Sequence, residues 1–105
     1  MLTPTELGGR HLQQDITLNI PYDLSEQEWL KVSAVYESLD GWLGDKNGPA
    51  WYGQEGDARY IWASVEPSGV QFCGEVETPV WIAWLTVLCA RMSLALGREV
   101  RDASA

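Results

Sequence analysis

The sequence predicts an α+β fold of element order β-α-β-β-α, with a three-stranded sheet and two helices packed on one of its faces. Three observations carry that expectation. Residues 15–20 alternate apolar with polar, two segments open with helix start signals at Ser25 and Thr78, and two alternating runs flank Pro67-Ser68-Gly69.

In the first strand, Ile16, Leu18 and Ile20 alternate with Thr17 and Asn19, the two-residue period of a half-buried strand. Pro21 stops it, and residues 1–14, with Pro4 and Gly8-Gly9, read as a loose N-terminal arm. A helix then starts at Ser25, because Ser25 and Glu28 have capping-box spacing and Leu24 and Trp29 have hydrophobic-staple spacing. Its apolar stripe runs through Trp29, Val32, Val35, Tyr36, Leu39 and Leu43, and Gly41 or Gly44 ends it.

Residues 44–57 contain four glycines and a proline and read as a long loop carrying Trp51 and Tyr52. Residues 58–77 read as a hairpin in which the turn pairs Glu66 with Val70, Trp62 with Gly74 and Arg59 with Glu77. That register sets Tyr60, Trp62, Val70, Phe72 and Val76 on one face. Ile61, Ala63, Val65, Gln71, Cys73 and Glu75 fall on the other.

In the last element, Thr78 is placed to cap and Pro79 to occupy the first helical position. Trp81, Trp84, Leu85, Leu88, Met92 and Leu96 share its core-facing side. Opposite them runs a row of small residues, Pro79, Ala83, Thr86, Ala90, Ser93 and Gly97. Arg91 in mid-run argues against insertion into a bilayer. With a right-handed crossover, the first strand lies beside the third, the second is on the edge, and both helices share one face. This is a truncated ferredoxin-like arrangement, a split βαβ unit without the last strand. Its open sheet face carries Thr17, Asn19, Ile61, Ala63, Val65 and Cys73, which invites a partner or self-association.

A chain of 105 residues fits one domain, 1–105, and a 46% hydrophobic fraction lets it bury a core. Its net charge of −8 comes from 15 acidic against 7 basic residues. Eleven of the acids lie within residues 23–77 beside only Lys31, Lys46 and Arg59. Nucleic-acid binding is disfavoured, since phosphate contacts need clustered cations. Basic protein partners are favoured instead.

Catalytic chemistry finds little footing. His11 is the single histidine, and Cys73 and Cys89 lack metal-ligand spacing, so neither a zinc site nor a Cys-His pair assembles. The Asp45-Lys46-Asn47-Gly48 stretch departs from a calcium loop and reads as a turn. No phosphate-cradling glycine loop or nucleophile elbow occurs. No catalytic residue, cofactor or metal is expected.

The leading expectation is a small cytoplasmic protein that binds and neutralises a protein partner, as immunity or antitoxin proteins mask basic bacterial toxins. Its contact residues are expected to be Trp51 and Tyr52, ringed by Asp45, Glu55 and Asp57. A homodimeric module held through Ala83, Thr86, Ala90 and Ser93, or through the open sheet face, is the second expectation. A small-ligand domain or enzyme using the 44–57 loop is the third.

Overall fold

The computed structural model describes residues 12–104. Strands β1 (Leu12–Leu18), β2 (Trp42–Gly44), β3 (Ala50–Trp51), β4 (Tyr60–Glu66) and β5 (Gly69–Val76) combine with helices α1 (Glu26–Ser38) and α2 (Thr78–Leu96). The α+β class holds, but the sheet has five antiparallel strands rather than three, in the order β1-β5-β4-β3-β2. As expected, β1 lies beside β5, with β4 on the other side of β5. Strand β4 is not an edge, because β3 pairs Trp51 with Ile61 and β2 pairs Trp42 with Trp51.

The extra hairpin comes from the end of the expected helix, at Trp42 and Leu43, and from the segment read as loop. Its turn was visible at Asp45–Gly48, where the Gly48 N–H donates to the Asp45 carbonyl at 3.0 Å and Gly48 has φ +92°. Its strands were not, because they are only two and three residues long and alternate too briefly to register as a period.

Strand β1 begins at Leu12, so residues 12–14 belong to the sheet rather than to a loose arm. The rest of that arm, His11 included, lies outside the described residues. Helix α1 opens as its sequence dictates. Ser25 Oγ accepts from the Glu28 N–H at 3.2 Å, and Glu28 Oε1 accepts from the Ser25 N–H at 3.1 Å. The bond from the Ser25 N–H, and then the Ser25 hydroxyl, hold the Glu28 carboxyl below its usual range.

The helix stops at Ser38, before Gly41, and Leu43 sits 54% exposed in β2 rather than on the helical stripe. The chain must turn at Gly41, which has φ +85°, and a Cβ there would meet the Tyr52 ring at 2.8 Å. Helix α1 has no basic residue in its last turn. Donors from elsewhere satisfy its terminal carbonyls: Trp51 Nε1 reaches Tyr36 O at 3.0 Å and Arg91 Nη1 reaches Ser38 O at 2.8 Å.

The hairpin register differs by one residue from the expected one. Glu66 pairs with Gly69 and Trp62 with Cys73, across a two-residue turn. The neighbour on the far side decides this. Strand β1 pairs Leu18 with Val70 and Ile16 with Phe72, so these four side chains share a face with Ile61, Ala63 and Val65. Tyr60 and Trp62 therefore fall on the opposite face, with Cys73 and Glu75. Gly69 serves the approach of β1, not a bulge, since a Cβ on it would lie 2.1 Å from the Leu18 carbonyl oxygen. Arg59 Nε nonetheless meets Glu77 Oε1 at 3.0 Å, because long side chains span the one-residue offset.

Helix α2 starts at Thr78 with Glu77 as its N-cap, one residue earlier than expected and with no side-chain cap bond. It ends in a left-handed Gly97, whose N–H donates to Ser93 O at 2.9 Å. Trp81, Trp84, Leu88 and Met92 are buried against Leu18, Val32, Tyr36, Trp51, Phe72 and their neighbours. Both helices thus cover one sheet face.

Residues beyond Gly97 return to the free edge of β1. The Asn19 N–H donates to Arg101 O at 3.0 Å, the Ala103 N–H to Thr17 O at 2.8 Å, and Val100 is buried. This short antiparallel contact, bridging Leu18 with Asp102, covers the edge that would otherwise expose unpaired backbone.

Candidate functional site

The five residues expected to form one contact site are dispersed by the β2–β3 hairpin. Trp51 is wholly buried, so it cannot serve as an exposed anchor. Its indole stacks edge-on against Trp84 at 4.8 Å and Tyr36 at 5.1 Å and lies 5.4 Å from Trp42. The aromatic residue stays inside because burying its ring and satisfying its N–H together outweigh leaving it in water.

Tyr52, the next residue, is half-buried and borders a groove with Val80 and Ala83 of α2. Its φ is +70°, a conformation that costs a non-glycine residue of order 1–3 kcal/mol. The hydroxyl donates to Asp40 Oδ2 at 2.8 Å, and the Arg59 guanidinium stands 4.9 Å over the ring. Burial, and then the bond to Asp40, push its phenol up to about 12.

Asp45 lies instead on a cleft of about 250 Å³ between α1 and the sheet, lined by Trp29, Tyr36, Trp42 and Val65. Asp57 is exposed and spends Oδ2 on the Gln54 N–H at 2.7 Å, closing its own turn.

Glu55 stands near the sheet face opposite the two described helices. Its charge, with those of Glu75 and Asp15, adds to burial in raising the Cys73 thiol, and Glu75 and Glu55 likewise raise Tyr60. No Lys or Arg of the described residues is among the charges acting on either group. The half-buried Trp62 shares this face, and its indole N–H has no acceptor among the described residues. The face is therefore acidic and aromatic, not the apolar surface expected from Ile61, Ala63 and Val65, which the true register turns to the helix side, where Val65 stays exposed. Both thiols are raised by burial, which disfavours the thiolate a nucleophile needs.

A second surface is apolar. Ala83, Thr86 and Ala90 lie exposed on the outer side of α2 as expected, beside Ile82, Val87 and Leu94 at 58%, 40% and 85% exposure. Ser93 does not belong with them. Its hydroxyl accepts from the Val100 N–H at 2.9 Å and its carbonyl takes the Gly97 and Arg98 N–H groups, so it anchors the C-terminal return. Between this face and the end of α1 runs a groove of about 460 Å³, in which Val80, Ala83, Trp84 and Val87 meet Asp40, Tyr52 and Arg91. Tyr52 and Ala83, assigned to separate sites from sequence, share it.

Sequence reading missed Asp15, Glu75 and Trp62 on the sheet and Asp40 and Arg91 at the groove. Alternation marked the strand residues as facing outward together only once the register was known. Among the described residues, no three His, Cys, Asp or Glu side chains gather as a metal site. Comparison with protein-family models, curated proteins and solved structures finds no match.

Proposed function

We propose that this chain is a small acidic binding protein that sequesters or inhibits a basic protein partner, in the manner of an immunity or antitoxin protein acting in the bacterial cytoplasm. The observation that carries the reading is the grouping of Asp15, Glu55 and Glu75 around Tyr60 and Cys73, with no cation of the described residues among the charges acting there. The half-buried Trp62 ring lies beside them. Like charges held together in this way attract Lys- and Arg-rich surfaces and speed encounter with them. An aromatic residue within the ring supplies the kind of anchor that dominates binding energy. The contact site of this reading is the sheet face opposite α1 and α2, with Glu55, in place of the buried Trp51.

The test is capture from native lysate by the tagged chain, washed across a salt series, with bound proteins identified by mass spectrometry. A basic protein held at low salt, lost with Asp15→Lys/Glu75→Lys and kept with the α1 control Glu37→Lys, is the expected result. Retention of that protein by the double variant, or equal loss in the control, removes the sheet face as the site. Failure to capture any basic protein removes the reading.

A further inference from the structure

Helix α2 has one charged residue in nineteen, Arg91, in a chain of net charge −8. Two copies of such a chain repel each other wherever their acidic surfaces meet. The outer face of α2 is where that repulsion is least. It is also apolar through Ile82, Val87 and Leu94, with small side chains at Ala83 and Ala90 that permit close approach of a second backbone.

The charges at its margin decide what covers it. Arg91 and Asp40 both border the groove beside Ala83 and Val87. Neither takes part in a described ion pair. Arg91 commits Nη1 to Ser38, and Asp40 commits Oδ2 to Tyr52, so each has further hydrogen-bonding atoms to offer. Their charges are held at different points of the groove, the guanidinium at Ser38 and the carboxylate at Tyr52. The Trp84 indole N–H donates to Asp40 O at 3.2 Å, while Arg91 lies two turns of helix beyond, about 10 Å along the axis.

A twofold axis through Val87 that sets two α2 helices antiparallel brings Arg91 of one copy level with Ala83 of the other. Residue 87 ± 4 is its own counterpart under that operation. It also keeps the groove side of both helices on the same side of the pair. The cation of one copy then faces the partner's carboxylate, twice. We infer that the outer face of α2 is a self-association surface, on which a second copy of this chain packs antiparallel and exchanges Arg91–Asp40 ion pairs across the twofold axis.

A helix of nineteen residues is about 28 Å long, too little by itself for the roughly 800 Å² per partner of a stable interface. The groove walls at Tyr52 and Val80 must therefore join, and the dimer is expected to dissociate on dilution.

Sedimentation equilibrium of the full chain over a dilution series tests this. The expected result is a reversible dimer weakened about tenfold by either Arg91→Asp or Asp40→Arg, since each reversal acts at both symmetric contacts. The two reversals combined in one chain should restore it. Leu94→Glu, at a side chain already in solvent, should abolish the dimer with an unchanged circular dichroism spectrum. A monomer at every concentration, or a dimer indifferent to the charge reversals and to Leu94→Glu, overturns the inference. So does flotation of the monomer with phosphatidylcholine vesicles that Leu94→Glu prevents, since the face would then belong to lipid.

Discussion

The indole N–H of Trp51 donates to the main-chain oxygen of Tyr36 at 3.0 Å, and the Tyr36 ring stands at 88° to that indole, 5.1 Å away. One residue of the short β3 strand thus stacks against α1 and satisfies one of its terminal carbonyls. The same oxygen takes the Leu39 N–H at 3.2 Å, which closes the helix as the chain turns away. The aromatic cluster that continues into Trp84 and Phe72 ties both helices to the sheet through this ring.

Trp51→Ala should therefore cost about 3–5 kcal/mol of stability, measured by urea denaturation, because it empties a fully buried aromatic site. Trp51→Phe should cost about 1–3 kcal/mol, since the ring remains and Tyr36 O keeps the Leu39 N–H. A stable Trp51→Ala chain that folds normally and loses only partner capture would return Trp51 to the surface.

Tyr52 gives the chain a signature at high pH. Its phenol is pushed up to about 12 and that of Tyr36 is raised by burial, whereas the unfolded chain titrates near 10. The folded state therefore holds protons that the unfolded state has released. Stability is fully present below pH 10 and should fall as pH rises from about 10 to about 12. Alkaline difference absorbance should show Tyr52 ionising late in the wild type and earlier in Asp40→Asn, which removes a carboxylate that disfavours the phenolate. Identical titrations would disconnect Tyr52 from Asp40.

Gly69 has φ +140° and lies against the carbonyl of Leu18. Gly69→Ala should destabilise the protein by about 3 kcal/mol or more, because strain and a main-chain clash act together. Hydrogen exchange should show the loss of protection concentrated in β1 and β5. Protection lost instead at β2 and β3 would mean that the β1–β5 contact is not what requires the glycine.

Asn19 clasps the C-terminal return with four bonds, its carbonyl accepting from Arg98 Nη2 at 3.3 Å. Its N–H donates to Arg101 O, its Oδ1 accepts from the Arg101 N–H at 2.8 Å, and its Nδ2 donates to Glu99 O at 3.2 Å. Asn19→Ala should remove the two side-chain bonds, about 1–2 kcal/mol together. It should also make the segment after Gly97 the first site of limited proteolysis. Wild-type resistance in the variant would show that Val100 burial alone holds the segment.

Local signals in the sequence determined the two helices, the three longer strands, the start of α1 and the acidic character of the surface. A capping box, an apolar period of 3.6 or 2, and a proline or glycine at an element's end act over a few residues, so they can be read without knowing the fold. Even contacts between elements were partly legible, as Arg59 and Glu77 show. Tertiary structure alone decided the rest. The hairpin's register depended on β1, because a period of two permits either face until a third strand demands that Val70 and Phe72 sit beside Leu18 and Ile16. The place of Trp51 depended on α1 and α2, since an indole in a glycine-rich segment looks the same in sequence whether it faces water or a cluster of rings. Asp15, Glu55 and Glu75 lie far apart along the chain, and only sheet pairing and the return of the 52–59 segment bring their charges to bear on one face.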